Sequence, residues 1–418
     1  MLTASNGTLD QRFSDAMGEM LGPDFPTEIA LAVSGGGDSM AMLSLAHNWT
    51  RVWGVTLKVV TIDHGLRAES AAEAEMVARE CATLGWSHDT LQWHWDGQGN
   101  LMDAARRARL DLIDGWRGTT RHVLMAHTRD DVAETFLLRL KRGSGVDGLS
   151  AMAKTRDVGG MRVVRPCLEM SRAELRHYAR VLKTPWVDDP SNDNPSYDRV
   201  KMRQLLHGLE EVGLGIDTLS STAERLGRAQ VALRARAHHV WCELGSECES
   251  GDLLLDTDGF AKIERDTQLR ILAEGLGFVS GAEYRPRADA LEALLDRVLS
   301  GGAGTLSGCE IRAERSKIRV YREYRAVEAL TADAGDLWDG RWRLGHDTLS
   351  EVTVRALGQA GWQQVKDKPD TAPPYHAARS LPALWQGDRL VACETMGVGP
   401  EACTKRVRLG FAERLLSH

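Results

Sequence analysis

The residues best suited to chemistry lie in LAVSGGGDSMAML, Leu31 to Leu43, where three consecutive glycines separate two apolar runs. The first run predicts a buried strand and the second a helix, so the glycines mark a strand-to-helix turn. The N–H groups at a helix N-terminus lack intrahelical partners, and glycine has no Cβ to shield them, which favours a bound phosphate. The alternative is a plain turn in which Asp38 or Ser39 caps the helix. The stretch matches neither GxxxxGK[ST] nor GxGxxG, which excludes two common nucleotide-binding loops.

A second set of polar residues begins at the end of a predicted strand, LKVVTID. Asp63 and His64 end this strand, and ligands of open α/β sheets bind at the carboxyl ends of strands. An Asp-His pair can equally cap a turn, so that alternative stays open. On the predicted helix MDAARRARLDLIDGW, Arg106 and Arg109 share one face, which indicates either a solvated surface or an arginine fork for a triphosphate.

A third set follows the predicted strand HVLMAH. His127 ends this strand, and Asp130, Asp131 and Glu134 lie in the predicted first turn of the next helix. The spacing places His127 with Asp131, and Asp131 with Glu134, on one face. Carboxylates are favourable at a helix N-terminus, so capping explains part of this pattern. Capping requires only one carboxylate, and the others favour a functional role.

The order of predicted elements indicates the fold. From about Thr27 to Trp186, short runs rich in Val, Ile and Leu alternate with longer segments of helical period. This alternation predicts a doubly wound α/β domain with a parallel sheet. Helices are predicted over roughly 216–300, followed by a β-hairpin in GTLSGCEIRAERSKIRVYREY. We expect a catalytic domain at 1–212, a mainly helical domain with the hairpin at 213–328 and a small α+β module at 329–418.

The composition is that of an ordinary globular chain of 418 residues, 43% hydrophobic and 27% charged. No run approaches the roughly 18 apolar residues of a membrane span, and the N-terminus has no apolar leader. We therefore expect a cytoplasmic protein with no membrane partner. The seven cysteines include no Cys-x-x-Cys pair and no metal-ligand spacing, which predicts a reduced compartment and no structural zinc.

The charge distribution bears on a nucleic-acid partner. A formal net charge of −7 argues weakly against one, because phosphate binding depends on Lys and Arg. Residues 312–325, however, carry six basic and two acidic side chains, a net of +4, and further arginines cluster at 225–236. Such runs are most often solvated surfaces, but in a protein that binds RNA they suit phosphate contacts.

Taken together and in this order, the motifs resemble the tRNA(Ile)-lysidine synthetases of the PP-loop ATP pyrophosphatase superfamily. The resemblance covers about half the chain, from Leu31 to about Arg203. It departs from the family pattern at Leu110 and at 200–202, without loss of a charged group. The implied fold is adenine nucleotide α-hydrolase-like. The strings that carry the resemblance are SGGGDS, DHGLR, N-x4-ARRAR, AHTRDDVAET, RGSGVDGLSAM, RPCLEMSRAELRHYAR and WVDDPSNDNPSYDR.

This resemblance implies a two-step ligase reaction that uses ATP and Mg²⁺. The oxygen on carbon 2 of the wobble cytidine (position 34) in a CAU-anticodon isoleucine tRNA attacks the α-phosphate of ATP and releases pyrophosphate. The ε-amine of L-lysine then attacks carbon 2 and expels AMP, which leaves the modified base lysidine. The sequence leaves open whether the chain forms a homodimer.

The same resemblance implies roles for individual residues. Asp38 is expected to help bind Mg²⁺, and Arg106 to contact the α-phosphate. The expected ATP-binding residues are Ser34, Gly35, Gly36, Gly37, Asp38, Ser39, Asp63 and His64. The expected catalytic residues are Asp38, Arg106, His127, Asp131 and Glu134, and the expected lysine-binding residues are Asp130, Asp131 and Glu134. The expected tRNA-binding residues are Arg67, Arg199, Arg203, Arg225, Arg228, Arg315 and Lys317.

Three alternative functions remain open. A PP-loop tRNA thiolase would modify an anticodon-loop base with sulfur, but such enzymes use paired or clustered cysteines, and none lies in the motifs. A small-molecule ligase with a glutaminase half would require an N-terminal cysteine nucleophile, which the sequence lacks. A non-catalytic ATP-binding module would not require the carboxylates at 131 and 134.

Overall fold

A computed structural model describes residues 7–65, 69–95, 97, 101–188, 198–282, 284–345, 351–399, 404–407 and 410–416. The chain folds into two compact units, Met1–Gln230 and Val231–His418. In the described part of the chain, no helix is long and apolar enough to cross a membrane. The predicted domain boundaries at 212 and 328 stay predictions.

A six-stranded sheet forms the centre of the first unit. Its strands are β1 (Glu28–Ala32), β2 (Thr56–Asp63), β3 (Ser87–Gln92), β4 (His122–Met125), β5 (Thr155–Val158) and β6 (Met161–Val164). The order across the sheet is β3-β2-β1-β4-β6-β5, and only β5 is antiparallel to its neighbour. Because the strand order reverses between β1 and β4, the carboxyl ends of these two strands form the crevice where such sheets bind ligands.

Helices cover both faces of this sheet. The helices of this region are α1 (Leu9–Leu21), α2 (Gly37–Trp53), α3 (Ser70–Leu84), α4 (Leu101–Trp116), α5 (Arg129–Lys141), α6 (Val146–Leu149), α7 (Arg172–Leu182), α8 (Asp198–Glu210) and α9 (Ile216–Leu244). Of these, α6, α8 and the start of α9 pack in a cluster with α5, and α9 continues past Gln230 into the second unit. On β1, Ile29 and Leu31 belong to a core that includes Phe13 of α1, whereas Ala30 belongs to a core that includes Ile113 of α4. The alternation follows from the two-residue period of a strand that is buried on both faces. The predicted doubly wound α/β domain is confirmed.

Helices and a five-stranded antiparallel sheet form the first part of the second unit. The elements are β7 (Gly245–Glu247), β8 (Leu253–Asp256), α10 (Thr257–Phe260), α11 (Arg265–Ser280), α12 (Ala288–Leu299), β9 (Ala303–Leu306), β10 (Cys309–Glu314) and β11 (Lys317–Arg322). The predicted hairpin is confirmed as β10 and β11, in which Glu314 pairs with Lys317. The hairpin belongs to a sheet of order β7-β8-β11-β10-β9. The sequence did not predict this sheet, because β7 and β8 are only three and four residues long.

Two smaller sheets follow, in the region where the sequence shows little regular period. The elements are β12 (Thr331–Asp333), β13 (Leu337–Trp338), β14 (Trp342–Leu344), β15 (Thr353–Ala356), α13 (Gly358–Gln364), α14 (Tyr375–Ala378), β16 (Pro382–Gln386), β17 (Arg389–Ala392), β18 (Thr404–Arg406) and α15 (Phe411–Leu416). The sheet orders are β12-β15-β16-β17 and β13-β14-β18. A small sheet-bearing module therefore follows the helical region, as predicted.

The last described helix, α15, packs into the helical part of the second unit. Phe411 is fully buried, and its ring centroid lies 4.6 Å from that of Trp241 and 5.3 Å from that of Phe278. The backbone N–H of Phe411 donates to the Glu247 carboxylate at 2.8 Å. Residues near the end of the chain therefore complete the core that α9 and α11 begin.

Replacing Phe411 with alanine should destabilise the second unit, because the change removes a fully buried ring and leaves a cavity beside Trp241. We expect the free energy of unfolding, measured by urea denaturation, to fall by about 3–5 kcal/mol. Leu416 lies on the same helix but is 50% exposed, so Leu416→Ala is the matched control. Its effect should stay within about 0.5 kcal/mol. Equal effects of the two changes would contradict the packing described for Phe411.

Candidate active site

The glycine turn joins β1 to α2 at the carboxyl edge of the sheet. Gly35 has a φ of +82°, a left-handed conformation that favours glycine, and Gly36 is the N-cap of α2. At Gly37, an added Cβ would lie 3.2 Å from Cγ of Arg176, so a side chain there would crowd α7. Glycine is therefore favoured at 35 by backbone conformation and at 37 by close approach.

Serine hydroxyls fix the shape of this turn. Ser39 Oγ accepts from the Ser34 N–H at 3.2 Å and donates to the Gly36 carbonyl at 2.9 Å. The Asp38 carboxylate accepts from a side chain on α7. Among the hydrogen bonds of the described residues, neither Asp38 nor Ser39 caps α2, so the first-turn amides stay available to an anion.

Helix α5 begins at the neighbouring strand end with a capping box. Asp131 Oδ2 accepts from the Thr128 N–H at 2.8 Å, and the Thr128 hydroxyl accepts from the Asp131 N–H at 3.4 Å. Capping thus uses one oxygen of Asp131 and leaves Oδ1 for another partner. The predicted first-turn position is correct for Asp130 and Asp131. It is wrong for Glu134, which lies in the second turn because α5 begins at Arg129.

Arg172, the first residue of α7, connects the carboxylates of α2 and α5. Its Nε donates to Asp38 Oδ2 at 3.1 Å, and its Nη1 donates to Glu134 Oε1 at 3.2 Å. Its Nη2 lies 3.5 Å from Asp131 Oδ1, and its backbone N–H donates to Asp130 Oδ2 at 2.8 Å. Four of the predicted site carboxylates therefore converge on one arginine, which the sequence analysis did not single out.

The local sequence nevertheless contains a signal for Arg172. Ser171 and Glu174 form the capping box that starts α7, so Arg172 occupies the first turn of a helix. A cation is unfavourable in that position, because the helix macrodipole places positive charge at the N-terminus. A residue that violates a local rule often belongs to a functional site, where other groups compensate for it.

Glu134 is the most deeply buried of these carboxylates, with a side chain that is 1% exposed. Its Oε1 also accepts from Nε of Arg203 on α8 at 2.6 Å. Its Oε2 is buried and has no hydrogen-bond partner in the part of the chain that the structure describes. Arg203, predicted as a tRNA contact, therefore donates to Glu134 within the protein. A tRNA phosphate that contacts Arg203 has to share its guanidinium group with Glu134.

The surroundings set the protonation of two carboxylates. Burial is the largest effect on Asp38 and raises its pKa above the ordinary value of 3.8, although Arg172 opposes the change. At Asp131, burial acts in the same direction, but Arg172 and the hydrogen bonds from Thr128 oppose it, and the pKa is lowered. Asp131 is therefore ionised at neutral pH.

His127 lies on a basic side of the site. Burial, followed by the guanidinium group of Arg165, lowers its pKa to about 4. Arg199 and Arg109 act in the same direction, whereas Asp131 opposes them. The ring is therefore neutral at pH 7, and its buried Nδ1 has no hydrogen-bond partner among the described residues.

Asp63 and His64 end β2, as predicted. Asp63 Oδ1 accepts from the Ser70 hydroxyl at 2.7 Å and from the Gly65 N–H at 2.8 Å, and these two bonds lower its pKa. Both donors are close to Asp63 in the sequence, so its carboxylate acts as a cap of the turn that follows β2. His64 packs edge-on against Trp93, with ring centroids 5.6 Å apart, and burial lowers its pKa.

The other predicted residues lie on the surface or outside the described residues. Arg67 lies outside the described residues. The exposed residues are Arg106 on α4, Arg199 on α8, Arg225 and Arg228 on α9, and Arg315 and Lys317 at the turn between β10 and β11. Their predicted contacts with phosphates stay predictions.

The positive run at 312–325 is partly neutralised within the second unit. Arg319 lies 3.0 Å from Asp252, and Arg322 lies 2.8 Å from Asp339. Both acidic partners lie outside the run. The net of +4 counted from the sequence therefore overstates the charge that this hairpin offers to an RNA.

Asp38 suits the Mg²⁺ role predicted for it. Its Oδ1 is buried without a hydrogen-bond partner among the described residues, whereas Oδ2 contacts Arg172. In the same part of the chain, no group of three or more His, Cys, Asp or Glu side chains could hold a metal ion. One or two carboxylates together with substrate phosphates commonly hold Mg²⁺, so Asp38 fits an ion that binds with ATP.

Comparison with known proteins gives first a class and then a family. A protein-family model described as a PP-loop domain matches residues 9–209, which contain the glycine turn and the carboxylates. The chain is 41% identical over 399 residues to a tRNA(Ile)-lysidine synthase from Ruegeria pomeroyi, covering 94% of this chain and 95% of that protein. It is 33% identical over 331 residues to a tRNA(Ile)-lysidine synthase from Wolbachia pipientis, covering 76% and 77%. The chain is thus a PP-loop protein. It belongs to the tRNA(Ile)-lysidine synthase family.

A similar solved structure is a tRNA thiolase from Methanococcus maripaludis. It is 15% identical to the chain, with a TM-score of 0.44, and the match covers 52% of this chain and 78% of that one. A likeness this remote carries no argument about the reaction. The thiolase alternative therefore gains no support from it.

Replacing Arg172 with glutamine should destabilise the first unit by about 3–5 kcal/mol, because it leaves Asp38 and Asp131 without this cation and Glu134 with Arg203 alone. In the wild type, the lowered pKa of Asp131 stabilises the fold at neutral pH, and this contribution is lost only as the pH falls below 3.8. In the variant, burial dominates and raises that pKa. The deficit in the free energy of unfolding should therefore be larger at pH 7 than at pH 5, measured by urea denaturation.

Arg180→Gln is the control for this change, because Arg180 lies on the same helix and is exposed. Its effect should stay within about 0.5 kcal/mol at both pH values. A deficit of Arg172→Gln that does not depend on pH would contradict the electrostatic role assigned to Arg172.

Proposed function

We propose that this chain is an ATP-dependent ligase that makes lysidine. It adenylates carbon 2 of the wobble cytidine in a CAU-anticodon isoleucine tRNA and then joins that carbon to the ε-nitrogen of L-lysine, in the cytoplasm. The products are the modified tRNA, AMP and pyrophosphate. The observation that carries the proposal is the convergence of Asp38, Asp131 and Glu134 on Arg172 beside the glycine turn. The names of the chain's relatives support the choice of substrate.

In the first step, ATP lies against the glycine turn. The first-turn amides, with Ser34 and Ser39, hold the leaving pyrophosphate at the positive end of α2. Asp38 would hold Mg²⁺, which supplies positive charge to the phosphates when it is bound. Arg106 is exposed on α4 and contacts the α-phosphate, where a guanidinium group can donate two hydrogen bonds.

In the second step, lysine is bound as a cation and reacts as an amine. The ε-ammonium group has an ordinary pKa of about 10.4, so the site must hold it and accept a proton. Capping leaves Asp131 Oδ1, which Arg172 Nη2 approaches to 3.5 Å, and Arg203 leaves Glu134 Oε2 for this task. His127 is neutral and accepts a hydrogen bond without adding charge. Asp130 positions α7, because its Oδ2 holds the Arg172 N–H.

Exposed basic residues bind the tRNA. Arg199 is exposed on α8, its charge helps to lower the pKa of His127, and it suits a phosphate next to the wobble base. Arg225, Arg228 and Arg315 are exposed and suit contacts with more distant phosphates, with Lys317 beside the last. Such contacts set the register of the tRNA and do not read its sequence.

The purified protein, given ATP, Mg²⁺, labelled L-lysine and an isoleucine tRNA with a CAU anticodon, should release pyrophosphate and incorporate the label. The physical reason is that the site contains an anion-binding turn next to carboxylates that bind an amine. Omitting the tRNA is the control and should abolish both signals. Incorporation of sulfur without lysine would overturn the proposal.

Variants should separate the two steps. Asp38→Asn should lower tRNA-dependent release of pyrophosphate roughly 100-fold or more, because it removes the charge that holds Mg²⁺. Glu134→Gln should largely retain this release but slow the transfer of lysine roughly 10- to 100-fold, because a charged hydrogen-bond partner of the amine is lost. Glu169→Gln is the matched control, since the Glu169 side chain is 74% exposed and pairs with Lys154 at the surface, so the change should affect neither step. Equal loss of both steps in Glu134→Gln would remove its assigned role.

A further inference from the structure

Arg165 is a buried arginine at the carboxyl edge of the central sheet. It directly follows β6 and is 7% exposed. Because β6 pairs in parallel with β4, with Val164 opposite Leu124, Arg165 and His127 follow adjacent strand ends. Its Nη1 donates to the Ala153 carbonyl at 2.7 Å, and its Nε is buried without a hydrogen-bond partner among the described residues.

In the part of the chain that the structure describes, no carboxylate forms an ion pair with Arg165. The side chain of Arg172, by contrast, contacts three carboxylates. Burial, together with the charges of Arg156 and Arg106, lowers the pKa of Arg165 to about 10, so the group is still a cation at neutral pH. A buried cation without a counterion is costly, and such a group is expected where an anionic ligand completes a site.

The burial of Arg165 restricts the anion that can reach it. Arg106, Arg109 and Arg199 are exposed, so they meet large anions such as a triphosphate or RNA phosphates first. With 7% of its surface exposed, Arg165 suits a small terminal group better than a bulky anion. A carboxylate fits this requirement, because it can accept two parallel hydrogen bonds from Nε and Nη of one arginine.

The proposed reaction has one small substrate with a carboxylate at one end and an amine at the other. Arg165 follows the strand next to the one that His127 follows, and Asp131 lies in the first turn of the helix just after His127, so these residues share one edge of the sheet. We propose that Arg165 binds the α-carboxylate of L-lysine while Asp131 and Glu134 receive its ε-amine, an assignment that rests on the proposed function. Arg165 thereby selects the amino acid over a diamine of the same length.

The test compares L-lysine with 1,5-diaminopentane, which is lysine without its carboxylate, in the full chain with ATP, Mg²⁺ and the isoleucine tRNA. Arg165→Gln removes the charge but keeps a donor for the Ala153 carbonyl. We expect the KM for L-lysine to rise roughly 10- to 100-fold in this variant. The KM for the diamine and the release of pyrophosphate should stay unchanged. Arg165→Lys keeps the charge but loses the two-donor geometry. Its KM for lysine should therefore lie between that of the wild type and that of Arg165→Gln.

Arg156→Gln is the matched control, because Arg156 is exposed on β5 and contributes only nearby charge. It should leave the KM for lysine unchanged. Equal changes for lysine and the diamine in Arg165→Gln would overturn the proposal. So would a KM for ATP that rises while that for lysine does not, since this result assigns Arg165 to a phosphate.

Further measurements separate a folding defect, and a failure of the proposed function, from a failure of the role of Arg165. Circular dichroism reports whether Arg165→Gln folds, and if it does not, Arg165→Lys carries the comparison between lysine and the diamine. Wild-type protein that releases pyrophosphate but never uses lysine contradicts the proposed function itself. Wild-type protein that uses lysine, with unaltered selectivity in both variants, contradicts only the role of Arg165.

Discussion

The charge balance at Arg172 is the constraint on which the candidate site depends. A cation in the first turn of α7 is unfavourable by itself, and the carboxylates of Asp38, Asp131 and Glu134 would be costly to bury without a cation. Contacts of 3.1–3.5 Å join these groups, so each compensates for the others. Because the carboxylates lie on α2 and α5, this one side chain fixes the starts of three helices relative to one another.

The same contacts explain why the glycine turn stays open to an anion. Asp38 contacts Arg172 and does not cap its own helix, and the Ser39 hydroxyl is used within the turn. The amides at the start of α2 therefore keep their capacity to bind phosphate, while the glycines at 35 and 37 keep Cβ atoms out of the way. Anchoring α7 and exposing the positive end of α2 are thus two results of one arrangement.

The first unit could be predicted from the sequence because its signals are local. The apolar period of the strands, the glycine turn and the polar residues at strand ends all lie within short windows. The partners of the charged residues could not be predicted in this way, since Arg172 lies 134 residues from Asp38 and 38 from Glu134. For the same reason, Arg322 was counted in a basic run, although Asp339 neutralises it. Burial and pairing are properties of the fold, and composition alone does not contain them.

The site is divided into two regions with opposite electrostatic character. On one side, the carboxylates are balanced by Arg172 and Arg203 within the protein itself. On the other, the charges of Arg165 and Arg109 act on His127, and neither arginine has an ion pair among the described residues, so their charge is left for anionic substrates. Cations held in place before binding need little reorganisation when negative charge develops on the phosphates. Burial, together with these cations, keeps the His127 ring neutral above a pH of about 4, so this imidazole is able to accept a hydrogen bond from an amine.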